Sequence, residues 1–231
     1  MLMDIFSSFD DQNFTFLSSF PLIWMIGSTP LMFLQNQFWI KPSRFIILLL
    51  KPKFFIMGQI ARTTGKNLSG FSNIISSIFI TLIFINLLGL FPYVFSLSSH
   101  LTFALSFGFP LWLSLIISGI FFNFSSVIAH LLPSGAPMFL NPFLVLVETV
   151  SISVRPITLS IRLVANMSAG HIILGLIGAY LSAGMFTYSV LIIILLILVE
   201  IFYFMFEIGV SMIQAYIFSL LIILYSEDHP L

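Results

Sequence analysis

Long apolar runs separated by short polar breaks make up most of the chain. Residues 12–40 contain no Asp, Glu, Lys or Arg, and neither do the 81 residues from 67 to 147. Because a membrane-spanning helix needs about 20 mainly apolar residues, the pattern predicts several spans. We expect spans at residues 14–36, 73–90 and 101–124, with loops at the proline-rich and glycine-rich breaks.

Two longer apolar segments, residues 143–182 and 187–225, are separated by small residues near position 183. A helix over the 39 residues of the second segment is about 58 Å long at 1.5 Å per residue, whereas the hydrocarbon core is about 30 Å thick. Residues 143–225 are therefore predicted to form a long, strongly tilted helix hairpin. Two alternatives stay open, because Pro156 could divide the first segment and Gly209 could kink the second.

Composition excludes several classes of protein. The chain has 231 residues, of which 59% are hydrophobic and 7% are charged, with no cysteine and a net charge of zero. A soluble domain carries about 25% charged residues, and a disordered chain is far less hydrophobic. The missing cysteines exclude a disulfide framework, and the zero net charge provides no field to attract nucleic acid. We predict an all-α polytopic membrane protein with about five membrane-embedded helices and one interfacial helix.

The basic residues predict an orientation in the membrane. Six of the eight lie in residues 41–66: Lys41, Arg44, Lys51, Lys53, Arg62 and Lys66. The positive-inside rule places this basic stretch on the matrix or cytoplasmic side, and its mixture with apolar residues is typical of an interfacial segment. A solvated loop is the alternative. Residues 1–13 carry three Asp and no basic residue, so we expect them on the opposite, positive side.

Five charges lie within the two long apolar segments: Glu148, Arg155, Arg162, Glu200 and Glu207. A charge at the centre of a membrane helix costs about 2.5–3.5 kcal/mol on insertion scales, so each of the five is a candidate for a functional role. The alternative for any one of them is an ion pair that holds two helices together.

Helical spacing sorts the candidates of the first long segment. Glu148, Arg155 and Arg162 recur every seven residues and share one helix face. His171 follows Arg162 by nine residues, which is half a turn out of phase, so the two side chains should point to opposite sides. Small residues around His171 would let another helix approach closely, although such residues are also common in membrane helices generally.

A polar stripe is predicted on the second long segment. It has the same seven-residue spacing: Glu200, Glu207 and Gln214, with Tyr203 and Ser211 beside them. Such a stripe should face protein or water rather than lipid, and we expect His171 to face Glu207 and Gln214. Carboxylates and imidazole exchange protons, whereas arginine stays charged and favours an ionised carboxylate near it. The set predicts a proton path with an electrostatic gate. We find no phosphate-binding loop or zinc motif and expect no cofactor, no metal site and no catalytic residue.

Four strings resemble one family when they are taken together in this order: HLLPSGAP at 130–137, LVET at 146–149, SISVRPITLSIRLVANMSAGH at 151–171 and IQAYIFSLLIILY at 213–225. They are similar to subunit a (subunit 6) of F-type ATP synthases. The resemblance is specific from about residue 73 to 225 and weaker over the first 70 residues. It implies that the long hairpin lies against a ring of c subunits.

The resemblance also implies roles for residues. Arg162 matches the family's essential arginine, which faces the ring and gates proton translocation. Four polar residues would line the half-channel from the positive side: Asn166, His171, Glu207 and Gln214. Glu148 matches the acidic residue of the matrix-side half-channel. Glu200 matches no family role and remains an additional candidate. Arg155 is a further candidate, which could work in the path or only stabilise a helix end near Pro156. Gly209 stands where alanine is more usual.

The combination of His171 with Glu207 resembles the mitochondrial members. The resemblance therefore implies a multi-pass protein of the mitochondrial inner membrane that conducts protons and carries out no ATP chemistry itself. Its implied partners are the c-subunit ring, other stator and accessory subunits of the synthase, and membrane lipid. Two alternatives stay open: a structural or assembly subunit of a respiratory complex, and an ion-coupled secondary transporter, which would usually show an internal duplication.

Overall fold

The computed structural model describes residues 9, 44–91, 94–131, 140–185, 187–227 and 229. These residues form six α-helices: α1 Arg44–Ile60, α2 Phe71–Gly89, α3 Leu101–Phe122, α4 Phe124–His130, α5 Asn141–Gly184 and α6 Val190–Tyr225. Two short 3₁₀ helices, Thr64–Asn67 and Leu97–Ser99, connect some of them. The span predicted at residues 14–36 lies outside the described residues.

Four of the helices, α2, α3, α5 and α6, are long and apolar enough to cross a membrane. Large apolar side chains cover their outer surfaces, and Phe202 and Leu191 of α6 are each 75% exposed. A soluble helix places its polar face outward instead. The expected all-helical, polytopic membrane fold is confirmed.

The two long helices are continuous. Helix α5 contains 44 residues, or about 66 Å of helix, and it passes through Pro156 without a break. The turn at Pro156 is supported by Ser160, whose Oγ donates to the Pro156 carbonyl at 2.6 Å, and by close packing of Gly108 from α3. Helix α6 contains 36 residues and passes through Gly209. The alternatives that divided these segments into shorter helices are therefore wrong.

Helix ends differ from the sequence-based bounds by a few residues. Helix α3 ends at Phe122 because Asn123 adopts an extended conformation and caps α4, its side chain accepting a hydrogen bond from the Ser126 amide. Helix α4 itself occupies part of a predicted loop. The turn between α5 and α6 is longer than predicted, because the Tyr188 amide bonds to the Gly184 carbonyl at 2.9 Å and α6 begins only at Val190.

The basic stretch is helical from Arg44 to Ile60, so the solvated-loop alternative is wrong for these residues. Ile56 and Ile60 are buried on one side of α1, whereas Arg44 and Lys51 are exposed. Ile47, Phe54 and Phe55 are also exposed, so the surface of α1 carries both charged and large apolar side chains. Lys41 lies outside the described residues.

The chain forms two compact units. The described part of the first unit comprises Phe9, Thr81–His100 and Leu163–Ala215, and the second unit comprises Arg44–Ile80, Leu101–Arg162 and the chain from Tyr216 onward. Helices α2, α5 and α6 contribute residues to both. Each unit has fully buried apolar side chains, such as Leu163 in the first and Phe218 in the second.

Candidate functional site

Polar side chains collect where α2, α5 and α6 meet in the first unit. We call this group the His171 cluster: Asn86 of α2, Asn166 and His171 of α5, and Glu207, Ser211 and Gln214 of α6. Glu207 is only 2% exposed, and Gln214 only 3%, although many other side chains on α6 are exposed, mainly in its first half. The stripe on α6 is therefore turned toward protein, as expected for polar groups in an apolar helix.

Two hydrogen bonds attach α5 and α2 to the same face of α6. Asn166 Nδ2 donates to Gln214 Oε1 at 2.9 Å. Asn86 Nδ2 donates to the Ser211 carbonyl oxygen at 3.3 Å. Because Ser211 and Gln214 are three residues apart, their side chains are neighbours on the helix. The polar groups of three helices are thus joined around one strip of α6.

Gly170 makes room for the carboxyl group of Glu207, whereas Gly89 lies at ordinary van der Waals distance from His171. A Cβ atom at Gly170 would overlap the Glu207 carboxyl group, and one at Gly89 would lie 3.8 Å from His171 Nε2. The carboxyl group of Glu207 therefore packs directly on the backbone of α5 beside His171. Only glycine leaves that space, since every other residue carries a Cβ atom.

Several buried polar atoms of the first unit have no hydrogen-bond partner among the described residues. They are Asn86 Oδ1, Ser98 Oγ, His171 Nε2 and Glu207 Oε1. Buried polar atoms normally have a partner, either protein or ordered water. A group of them on adjoining helices indicates a site that takes up water or protons. The ring of Phe9 also approaches His171 edge-on, with centroids 6.2 Å apart.

A cavity of about 120 Å³ lies in the second unit. We call it the Glu148 cavity; its polar wall consists of Glu148, Arg155, Tyr225 and His229, and apolar side chains of α3 and α4 form the rest. A water molecule occupies about 30 Å³ of liquid, so the cavity has room for several. It is the second place where the structure gathers ionisable groups.

Arg155 contacts two other residues of the cavity wall. Its Nη2 atom lies 3.8 Å from Glu148 Oε1, with the two side chains 30% and 40% exposed. Its guanidinium carbon lies 5.3 Å from the centre of the Tyr225 ring. Glu148 and Arg155 thus form an ion pair within α5, and the contact of Arg155 with Tyr225 reaches α6.

Arg162 is exposed, and among the described residues no carboxylate pairs with it. The next residue, Leu163, is completely buried. Ala165 and Ala169 are exposed one and two turns further along, so the surface beside Arg162 is formed by small side chains. Glu200 is half-buried, and neither it nor Arg162 forms part of the two groups described above.

The buried polar residues that sequence reasoning missed include Asn86, Ser98 and His229. A signal for Asn86 is present, since an amide within the apolar run of residues 78–90 is itself unusual in a membrane helix. Ser98 and His229 lie outside the long apolar helices, and their burial depends on which other segments pack against them. No local sequence pattern predicts such contacts.

Comparison with known proteins identifies the family. A family model described as ATP synthase A chain matches residues 14–227. The ATP synthase subunit a of Locusta migratoria is 38% identical over 229 residues, covering 99% of each chain. Those of Aedes aegypti and Drosophila melanogaster are 36% and 37% identical, again over 99% of each chain. The chain belongs to the ATP synthase A chain family.

Membership of the ATP synthase A chain family makes the chain a membrane-sector subunit that works with the other subunits of an ATP synthase. The match also covers the first 70 residues, over which the sequence motifs are weak. Together with four apolar helices of sufficient length, it shows a multi-pass membrane protein.

Proposed function

We propose that this subunit conducts protons between two offset half-channels and a rotor ring of c subunits in the mitochondrial inner membrane. The His171 cluster belongs to the half-channel from the positive side, and the Glu148 cavity to the half-channel toward the matrix. A ring carboxylate receives a proton from the first and releases it into the second after rotation. Each proton crossing 100 mV supplies about 2.3 kcal/mol, which drives the ring, while this chain carries out no ATP chemistry.

The His171 cluster has the groups that an entry path requires. Carboxyl, imidazole and amide groups bind water and pass protons along hydrogen bonds. Glu207 and His171 each present a buried atom that has no hydrogen-bond partner among the described residues. The contact of His171 with Phe9 supports an opening to the positive side, since Phe9 belongs to the acidic N-terminal segment. Protons would pass Gln214, Glu207, His171 and Asn166 before they reach the ring.

Contacts of the C-terminal end of α6 support a matrix-side position for the Glu148 cavity. The basic α1 leads into the 3₁₀ helix Thr64–Asn67. Thr64 Oγ1 donates to the Ser226 carbonyl at 3.3 Å, and Ser226 directly follows Tyr225, which lines the cavity. Because the positive-inside rule assigns the basic stretch to the matrix side, the cavity belongs to the same side.

The observation that carries the proposal is the exposed guanidinium of Arg162, which pairs with no carboxylate among the residues that the structure describes. A permanent charge facing lipid is costly, so a partner with a carboxylate must cover this surface. The small side chains of Ala165 and Ala169 let a helix backbone approach closely. A ring of helices that presents one carboxylate at a time fits these requirements, and the fixed charge blocks a direct leak between the half-channels.

The test is Arg162→Ala in the assembled complex in liposomes, measured as ATP synthesis driven by an imposed proton gradient. We expect synthesis to fall by at least about tenfold, the rate equivalent of ~1.4 kcal/mol. Thr158→Ala is the matched control, since Thr158 is exposed one turn before Arg162. Its hydroxyl group donates a hydrogen bond to the Arg155 carbonyl at 2.9 Å. Near-normal synthesis by Arg162→Ala would show that the gate assignment is wrong.

A further inference from the structure

The C-terminal tail brings a histidine to the wall of the Glu148 cavity. His229 is 9% exposed and lines the cavity. Its Nε2 atom lies 3.1 Å from Ser118 Oγ of α3, a hydrogen bond that fixes the ring. Its other ring nitrogen, Nδ1, is buried and has no hydrogen-bond partner among the described residues. The ring is thus anchored at one nitrogen and unsatisfied at the other.

The groups that face His229 across the cavity differ in what they can do with a proton. Arg155 stays charged at any accessible pH and pairs with Glu148, while the Tyr225 ring lies beside the guanidinium. The remaining walls, from α3 and α4, are apolar. Glu148 and His229 are therefore the two groups of the cavity that exchange protons readily, since histidine is the side chain suited to this near neutral pH.

We propose that His229 is a proton-relay residue at the matrix-side end of the path, taking protons that leave Glu148 through cavity water. This rests on the proposed function of the subunit. A proton from the cavity water binds at Nδ1 of the neutral ring and gives an imidazolium. The imidazolium then releases a proton to the bulk solvent and returns to the neutral form, so nothing is consumed.

The location of the tail is suited to this role. Ser226, three residues before His229, contacts the 3₁₀ helix that follows the basic α1. Its hydroxyl also lies against Gly65 of that helix. The tail is therefore held on the side of the membrane to which the basic stretch is assigned. A relay residue at that position connects the cavity with the solution into which protons are released.

The experiment uses the assembled complex in liposomes whose outer solution meets the matrix side, at low buffer concentration, so that proton release limits the flux. We expect His229→Gln to lower gradient-driven proton flux by about threefold or more, because glutamine keeps a donor for Ser118 but cannot carry a proton. Added imidazole in the outer solution should restore the flux, since a mobile base then replaces the missing relay.

Ser118→Ala tests whether His229 relays protons or only anchors the C-terminal tail. It removes the hydrogen bond that fixes His229 but keeps the imidazole, so we expect a smaller loss of proton flux than in His229→Gln. Unchanged flux in His229→Gln at low buffer would overturn the proposal. So would equal losses in His229→Gln and Ser118→Ala that imidazole does not restore, since these would mean that the ring only anchors the tail.

Arg162→Ala in the same preparations distinguishes this inference from the proposed function. If Arg162→Ala abolishes coupled synthesis while His229→Gln behaves like the unchanged complex, the relay alone is wrong. If Arg162→Ala leaves coupled synthesis intact, the proposed function itself fails, whatever His229→Gln does.

Discussion

The His171 cluster and the Glu148 cavity both bring a carboxyl group into an apolar membrane protein, but they surround it differently. Glu207 is almost completely buried, and the other members of its cluster are imidazole, amide and hydroxyl groups without a permanent charge. Glu148 is 40% exposed and lies beside the permanently charged Arg155. One carboxyl group is thus buried among uncharged polar groups, and the other forms an ion pair beside a cavity.

Because of this difference, we expect the two carboxyl groups of the proposed path to respond differently to substitution. A buried group with unsatisfied hydrogen-bonding atoms can transfer protons only through narrow, ordered contacts. The removal of one atom should therefore interrupt proton transfer through that group. A partly exposed group beside a water-sized cavity tolerates change, because water can replace a missing side chain. The predictions below test this contrast, beginning with the largest expected effect.

Glu207→Gln and Glu148→Gln compare the two carboxyl groups directly. We expect Glu207→Gln to reduce gradient-driven proton flux by about tenfold or more, and Glu148→Gln by about two- to threefold, because a lost acid–base group matters most where water cannot replace it. Flux in liposomes containing the assembled complex measures both. Equal losses would remove the contrast between the two regions.

Gly170→Ala tests the close packing of the first region. Alanine favours a helix by about 1 kcal/mol over glycine, yet the added Cβ would overlap the Glu207 carboxyl group. We expect proton flux to fall about fivefold, since such overpacking costs about 1–3 kcal/mol. Flux normalised to the amount of assembled chain is the measurement.

Gly209→Ala is the control for Gly170→Ala, because a Cβ at Gly209 meets no atom within 4 Å. It should leave flux unchanged while it adds the same methyl group to a membrane helix. If Gly170→Ala also left flux unchanged, the packing of Glu207 against α5 would have no functional importance.

The Asn166–Gln214 hydrogen bond should couple α5 to α6. We expect Asn166→Ala and Gln214→Ala each to destabilise the assembled subunit, with a coupling of about 1 kcal/mol between them in a double-mutant cycle. Thermal unfolding in detergent, followed for both single variants and the double variant, gives this number. Simple additivity of the two effects would show that the hydrogen bond contributes nothing to stability.

Arg155→Lys should have the smallest effect. Lysine keeps the charge beside Glu148 but loses the planar group over Tyr225, and exposed ion pairs contribute about 0–1 kcal/mol. We expect a small decrease in the thermal stability of the complex, measured by the same unfolding assay. A decrease larger than that of Asn166→Ala would mean that the cavity wall, rather than the buried cluster, is the more tightly coupled region.

Much of the fold could be predicted because membrane insertion depends on local composition. Runs of about 20 apolar residues identify spans wherever they occur, and α2, α3, α5 and α6 lie at the expected positions. The seven-residue stripe on α6 also predicts which face carries Glu207 and Gln214, since helical periodicity is a local property. The roles of Arg162 and the other site residues stay predictions until the variants above are measured.

Other features depend on contacts that are distant in sequence. The short helix α4 begins at Phe124 because the side chain of Asn123 caps it, and a membrane-length pattern does not show where a helix will stop. The burial of Asn86 against the Ser211 carbonyl joins residues 125 positions apart. His229 lies near the end of the sequence, yet in the structure it lines the Glu148 cavity. A hydrogen bond to Ser118, 111 positions earlier, holds it there.

The sequence by itself determined that the chain crosses a membrane, that two of its helices are unusually long, and that a few charges lie within those helices, since each is read from local composition. The tertiary structure alone decided which polar groups meet. Glu207 packs on Gly170, Arg155 joins Glu148 to the Tyr225 ring, and His229 reaches the cavity. Such pairings depend on how separate helices and the tail pack, and no single segment encodes them.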